Sequence, residues 1–341
     1  MAINPKIEFY RFKLNPRHAD FKTFKDFVMD ELNVRRPLDD TKAMKHLLSF
    51  FISSLSGNYA KDDKIKKQIK LEGRRDINMY LDYKPKIIEG NIICGVINGG
   101  PYGRDRIVAD VTDPSEGSKI GKNKSILQYY YILLYLPLDH NEGCFIIHSN
   151  GKEETITNIF KRFISNIFKG TNYKQMLLDT FCPKSFQDEF KKGAVIKSLE
   201  FKDTMVDSIH TTDGVSEVLK RFDIRIEAIP KDKNISVTES LKLKDIFAKY
   251  IFGQVQKGKS LKDFEETKIS LLNPVDKSTK TFEWGFKDEE FVPVVYLDGR
   301  VKNSNPDDTP NFDELDLLCQ NYFKDEVLPE IRPELFVEKM K

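Results

Sequence analysis

Residues 6–14 (KIEFYRFKL) alternate apolar and charged positions, which predicts an aromatic-rich first strand. The period then changes. Phe21, Phe24, Val28 and Leu32 recur at the spacing of one helical face, with Asp20 placed to cap it. Met44, Leu47, Leu48, Phe51, Ile52 and Leu55 mark a second helix that begins near Asp40. Strand-like stretches follow at 77–83, 86–97, 104–111 and 126–136, with a turn expected at Asn98-Gly99-Gly100-Pro101. Residues 126–136 (ILQYYYILLYL) are apolar on both pleat faces, which places them at a sheet centre covered above and below. A turn at 139–143 returns the chain through 144–148 as a hairpin partner. The most regular helix is 154–169, where Ile156, Ile159, Phe160, Phe163, Ile164, Ile167 and Phe168 form one stripe that should pack across that sheet.

Residues 171–193 read as a linker or short helices. They separate an amino-terminal lobe (1–170) from a carboxy-terminal lobe (194–341). In the latter, Phe222, Ile224, Ile226 and Ala228 alternate with Asp223, Arg225 and Glu227, the signature of a half-exposed antiparallel strand. A helix is expected at 241–252, strands at 267–272, 281–286 and 291–297, a hairpin turn at Asp298-Gly299, and an amphipathic helix at 312–327. The expected fold class is α+β, with mixed, largely antiparallel sheets and packed amphipathic helices in two lobes.

Composition narrows the functional classes. With 40% hydrophobic residues and 25 Phe among 341 residues, the chain can bury real cores. The run 129–138 is about half of what a membrane-spanning helix needs, and residues 1–17 alternate apolar and charged positions unlike a signal peptide. Cys94, Cys144, Cys182 and Cys319 show no CxxC spacing and fit reduced, buried thiols of a cytoplasmic protein. Net charge is +2, but it is unevenly spread. From Asn305 onward ten acids face four bases, whereas residues 1–304 carry 51 bases and 43 acids. A basic body with an acidic tail is compatible with a polyanionic partner.

No phosphate-cradling GxxxxGK is present, and none of the five histidines forms HxxxH or HExxH, so no metal or cofactor is expected. Glu200-Phe201-Lys202 and Glu266-Thr267-Lys268 have the acid–x–lysine form of a metal-dependent nuclease strand, a form that arises freely in a chain with 55 bases and 53 acids. The stronger candidates are two basic segments. Residues 61–75 carry seven bases against three acids and are expected as an exposed connector or short helix. Lys64, Lys66, Lys67, Lys70, Arg74 and Arg75 there could neutralise phosphates without reading sequence. Lys119, Lys122 and Lys124 lie in an acid-free loop (GSKIGKNK) that could grip phosphate. The plainer alternative for both is a solvated loop.

The order of elements resembles prokaryotic antiphage DNA-binding proteins of the RexA and KwaB (Kiwa) kind. The resemblance runs over about residues 75–330, through YYYILLYLPLDHNEGCFIIH, TITNIFKRFISNIF, FDIRIEAIPK and FEETKISLL…KTFEWGF to a carboxy-terminal helix. It implies a cytoplasmic, homodimeric, sequence-nonspecific binder of duplex DNA that senses phage or partners an effector protein. Three classes stand: a non-catalytic nucleic-acid-binding component of a defence or mobile-element system, a metal-dependent nuclease-type effector, and an interaction subunit using a strand edge or apolar patch.

Overall fold

The computed structural model describes residues 5–19, 21–34, 38–56, 60–71, 81–109, 112, 117–150, 155–204, 223–231, 266–272, 279–283 and 295–337. The alternating first segment is strand β1 (Lys6–Lys13). Thr23, rather than Asp20, caps α1 (Phe24–Glu31): its hydroxyl accepts the Asp26 N–H while the Asp26 carboxylate accepts the Thr23 N–H, a reciprocal capping box. Asp20 lies outside the described residues. Asp39 caps α2 (Asp40–Ser54) by accepting the Lys42 N–H at 2.8 Å.

The region expected as a connector is instead a hairpin, β2 (Lys61–Asp62) and β3 (Lys67–Lys70). The single strand expected at 86–97 is split by a turn into β4 (Lys86–Ile88) and β5 (Ile92–Pro101). Of the strand expected at 77–83, residues 77–80 lie outside the described residues and Leu81–Tyr83 is a 3-10 turn. Asn98–Pro101, expected as a turn, are the last residues of β5 and pair with β3. Packing explains the glycines there: a Cβ on Gly100 would lie 1.8 Å from the Ile126 carbonyl oxygen. Next come β6 (Arg106–Ala109), within the strand expected at 104–111, and β7 (Gly117–Ile120), where the acid-free loop was expected; the two form a separate two-stranded ribbon. Then β8 (Gln128–Tyr135), β9 (Glu142–Ser149) and α3 (Thr157–Ile167) follow the predicted order. The segment 171–193, expected as a linker or short helices, holds one short helix, α4 (Lys184–Gly193), and before it a strand, β10 (Leu177–Phe181).

The chain divides into two units, Met1–Phe181 with Val294–Lys341 and Cys182–Pro293. The division expected at 171–193 therefore lies close to one boundary, but the carboxy-terminal segment belongs with the first unit. Within Cys182–Pro293, β11 (Val195–Thr204), β12 (Asp223–Ala228), β13 (Glu266–Leu272) and β14 (Thr279–Glu283) form an antiparallel sheet of order β12-β11-β13-β14. The helix expected at 241–252 lies outside the described residues.

In the first unit, β15 (Val295–Tyr296) pairs with β1, and Leu297 N–H donates to the Pro5 carbonyl. Asp298-Gly299 makes a turn but no hairpin follows it; the Arg300 and Val301 N–H groups both donate to the Leu297 carbonyl. The large antiparallel sheet runs β10-β1-β9-β8-β5-β3-β2, with β4 added to β5 and β15 to β1. As expected of an element apolar on both faces, β8 is central. One face carries Tyr10, Phe12, Ile132, Leu134, Phe145 and Ile147 against α1–α3, with the Phe145 and Phe160 rings edge-on at 5.1 Å. The other face is covered by α5 (Phe312–Tyr322), a π turn (Phe323–Val327), α6 (Leu328–Ile331) and α7 (Glu334–Val337). Phe312, Leu315, Phe323 and Val327 are buried there. Their burial, worth roughly 1.5–3 kcal/mol apiece, docks the segment expected in the second lobe. The Tyr131 hydroxyl donates to Asp316 at 2.5 Å, and buried Arg332 grips Asp139 with both terminal nitrogens at 3.2 and 2.9 Å. Among the described residues no helix is long and apolar enough to cross a membrane.

Candidate nucleic-acid interface

The β2–β3 turn is built around a buried carboxylate. Asp62 accepts the Lys64 and Ile65 N–H groups on one oxygen, at 2.9 and 3.3 Å, and meets Arg162 of α3 with the other. Burial alone would raise its pKa; Arg162 and the two N–H groups outweigh that and hold it below the usual carboxylate range. With the turn fixed in this way, Lys66 adopts φ 52°, with its carbonyl turned to Tyr102. That carbonyl accepts the Tyr102 N–H at 2.9 Å, and the next N–H, of Gly103, donates to the Lys122 carbonyl at 2.9 Å. Lys122 N–H in turn donates to Asp105 at 2.8 Å. One dipeptide after β5 thus ties the two lysine segments together.

Between them lies an open cleft of about 440 Å³, lined by Lys61, Lys66 and Lys122 with Gln68, Tyr102 and Asn123. Lys61 and Gln68 are cross-strand partners of the hairpin, so the pairing itself places them on one side. Lys61, Lys64, Lys122 and Lys124 are exposed and make no ion pair among the described residues. Lys66 Nζ lies 3.5 Å from Asp63 and 5.8 Å from the centre of the Tyr102 ring; Lys119 Nζ lies 3.1 Å from Asp105. The Tyr102 hydroxyl donates to Asp63 at 2.9 Å. That bond, with the Lys66 charge, holds Asp63 below its ordinary pKa, while burial and then Asp63 push Tyr102 up to about 12. At neutral pH the surface therefore presents lysine ammonium groups in excess over two carboxylates.

The remaining predicted residues fall differently. Lys67 turns inward and donates to the Thr155 carbonyl at 2.7 Å, and burial lowers its pKa. The alternation of a strand sends it to the face opposite Gln68, so it is withdrawn from the cleft. Lys70 is half-buried on β3 opposite Asn98, beyond the cleft lining. Arg74 and Arg75 lie outside the described residues. Sequence reasoning did not single out Lys61, Gln68, Gly103 or Asn123. The signal available for Lys61 was the hairpin, in which it and Gln68 face each other.

Family models, curated proteins and solved structures gave no match to the chain.

The two acid–x–lysine triplets have a structural explanation. They lie on neighbouring antiparallel strands, with Glu200 in register with Lys268 and Lys202 in register with Glu266. The Glu200 carboxylate also accepts from Arg225 at 2.7 Å. Among the described residues no group of three or more His, Cys, Asp or Glu side chains that could hold a metal ion is assembled. All four cysteines are buried, and burial pushes the Cys94 thiol up to about 12.

Proposed function

We propose that this protein binds duplex DNA through the lysine cleft, without reading sequence and without catalysing a reaction. The supporting observation is that Lys66 and Lys122, far apart in the chain, line one cleft joined through Tyr102-Gly103. Each lysine placed against a phosphate releases condensed counterions, which supplies affinity independent of base sequence. Among the described residues the cleft lining carries lysine and no arginine. A point charge on a flexible stem follows a phosphate backbone, whereas guanine is read by the planar fork of arginine. Gln68 and Asn123 add neutral hydrogen-bond donors for phosphate oxygens. From the resemblance in element order we place this activity in the cytoplasm, in a homodimer that serves antiphage defence beside an effector protein.

The test is fluorescence anisotropy with labelled duplexes of unrelated sequence from ~50 to ~200 mM salt. Similar affinities are expected for all sequences, with log K falling against log salt at a slope of about −3 to −5, as for some four to five phosphates. A variant with Lys61, Lys64, Lys66 and Lys122 all changed to Glu should lose binding while keeping its circular dichroism spectrum. Undiminished binding by that folded variant removes the cleft from consideration.

A further inference from the structure

We infer that the Asp63 carboxylate holds the place of a DNA phosphate, and that the Tyr102 hydroxyl and the Lys66 ammonium receive that phosphate once Asp63 swings away. The inference rests on reading the cleft as a DNA-binding surface and adds Tyr102 to its contacts. Asp63 reaches the cleft through a single atom: its Oδ1 accepts the Tyr102 hydroxyl at 2.9 Å and lies 3.5 Å from Lys66 Nζ. Its other oxygen has no partner among the described residues, and the side chain is 85% exposed. Asp63 is also dispensable to the turn that carries it, because the Lys64 and Ile65 N–H groups are taken by Asp62.

The two donors, by contrast, are anchored independently of Asp63. Tyr102 N–H donates to the Lys66 carbonyl and Gly103 N–H to the Lys122 carbonyl, each at 2.9 Å, and Lys66 Nζ lies 5.8 Å from the centre of the Tyr102 ring. Only the loosely tethered carboxylate has to move, so hydroxyl and ammonium stand preorganised for the anion that replaces it. A carboxylate and a phosphodiester offer the same feature to such donors, negatively charged acceptor oxygens. Exchange of one for the other therefore conserves both contacts. The surrounding charges favour the phosphodiester. Asp63 meets Lys66 alone, whereas Lys61 and Lys122 line the same cleft and make no ion pair among the described residues. An anion that repeats along a chain serves all three lysines. Tyrosine hydroxyls are among the side-chain groups that contact DNA phosphates, and a neutral donor releases no counterion.

The experiment is a double-mutant cycle on duplex binding across a salt series: wild type, Asp63→Ala, Tyr102→Phe and the two combined, with thermal unfolding as the check on folding. In wild type the phosphate gains the hydroxyl only by breaking its bond to Asp63, so Tyr102→Phe alone should weaken binding by less than about threefold. Asp63→Ala leaves the hydroxyl open and should tighten binding severalfold. Adding Tyr102→Phe to Asp63→Ala should then cost on the order of tenfold, as for a hydrogen bond to a charged group, at an unchanged salt slope. A silent Tyr102→Phe in the Asp63→Ala background, with wild-type binding intact, overturns the subsite and leaves the cleft standing. Weaker binding by Asp63→Ala also overturns it, by making the carboxylate a support of the site rather than its occupant. Absence of wild-type binding at low salt removes the cleft reading and the subsite together.

Discussion

The Lys66 side chain occupies the space that a Cβ on residue 103 would need: built onto Gly103, that atom would lie 3.0 Å from Lys66 Cδ. Gly103 also has φ +84°, a conformation that costs other residues roughly 1–2 kcal/mol. Gly103→Ala is therefore expected to lower stability by about that amount in urea denaturation. It should also move Lys66 and loosen its carbonyl's bond to Tyr102. Reduced DNA affinity beyond that of an Ala substitution at Lys66 itself would register the displaced backbone. Equal stability of Gly103→Ala and wild type would contradict the geometry.

Asp62 organises the same turn from below. Asp62→Ala removes the acceptor for two N–H groups and the partner of Arg162, and should cost roughly 1–3 kcal/mol. Asp62→Asn keeps the oxygen that faces Lys64 and Ile65 and loses chiefly the charge toward Arg162, so its cost should be clearly smaller. Because the Asp62 pKa is held down in the folded chain, its contribution is complete above the unfolded value of 3.8 and disappears only as pH falls through the lowered one. Two denaturation curves at pH 7 decide the ordering, and Asn costing as much as Ala would mean the N–H bonds are not what matters.

Much of the first unit was legible because its signals are local. The alternation in β1, the two-faced apolarity of β8 and the helical stripe of α3 each name their environment directly. The site was only half legible. Charge density marked the 61–75 and 119–124 segments, yet their meeting depends on Gly99-Gly100-Pro101, which looks like a turn and is a strand end threading past Ile126. Reading residues 61–75 as a connector also hid the turn that exposes Lys66 and the alternation that puts Gln68 in the cleft and withdraws Lys67. The docking of residues 295–337 was illegible for a different reason. Phe312, Leu315 and Cys319 announce an apolar face, but nothing local says which sheet receives it.

His148 sets an acid limit on the first unit. It is fully buried on β9 between the rings of Tyr130 and Phe312, and neither ring nitrogen has a hydrogen-bond partner among the described residues. Burial pushes its pKa down to about 3 from 6.5, against the opposing charge of Asp307. The folded chain thus refuses a proton that the unfolded chain accepts. No penalty exists above pH 6.5; below it, stability should fall by about 1.4 kcal/mol per pH unit until the folded group titrates. His148→Leu removes this dependence and replaces an unsatisfied polar ring with apolar volume. It should match or exceed wild type at pH 7 and gain up to about 2 kcal/mol on it by pH 5. Parallel stability profiles for the two proteins between those pH values would exclude His148 as the source.

The acids beside the cleft offer the sharpest electrostatic test, because it is a gain rather than a loss. Asp63 holds Lys66 at 3.5 Å and Asp105 holds Lys119 at 3.1 Å, and both carboxylates stand in solvent. Exposed pairs of this kind contribute little to stability, so Asp63→Asn with Asp105→Asn should leave the unfolding midpoint nearly unchanged. It frees two ammonium groups for phosphate and removes two repelling charges. DNA binding should therefore tighten on the order of severalfold at low salt, and the slope of log K against log salt should steepen by about 0.9 for each lysine that gains a phosphate. The asparagine at 105 can still accept the Lys122 N–H through its amide oxygen, so the backbone link at the root of the ribbon is retained. Any general loosening of the site would weaken binding, whereas relief of local neutralisation strengthens it. Titration of the double variant against wild type at two salt concentrations separates these, and a weaker or salt-insensitive response would mean that Lys66 and Lys119 do not face the nucleic acid.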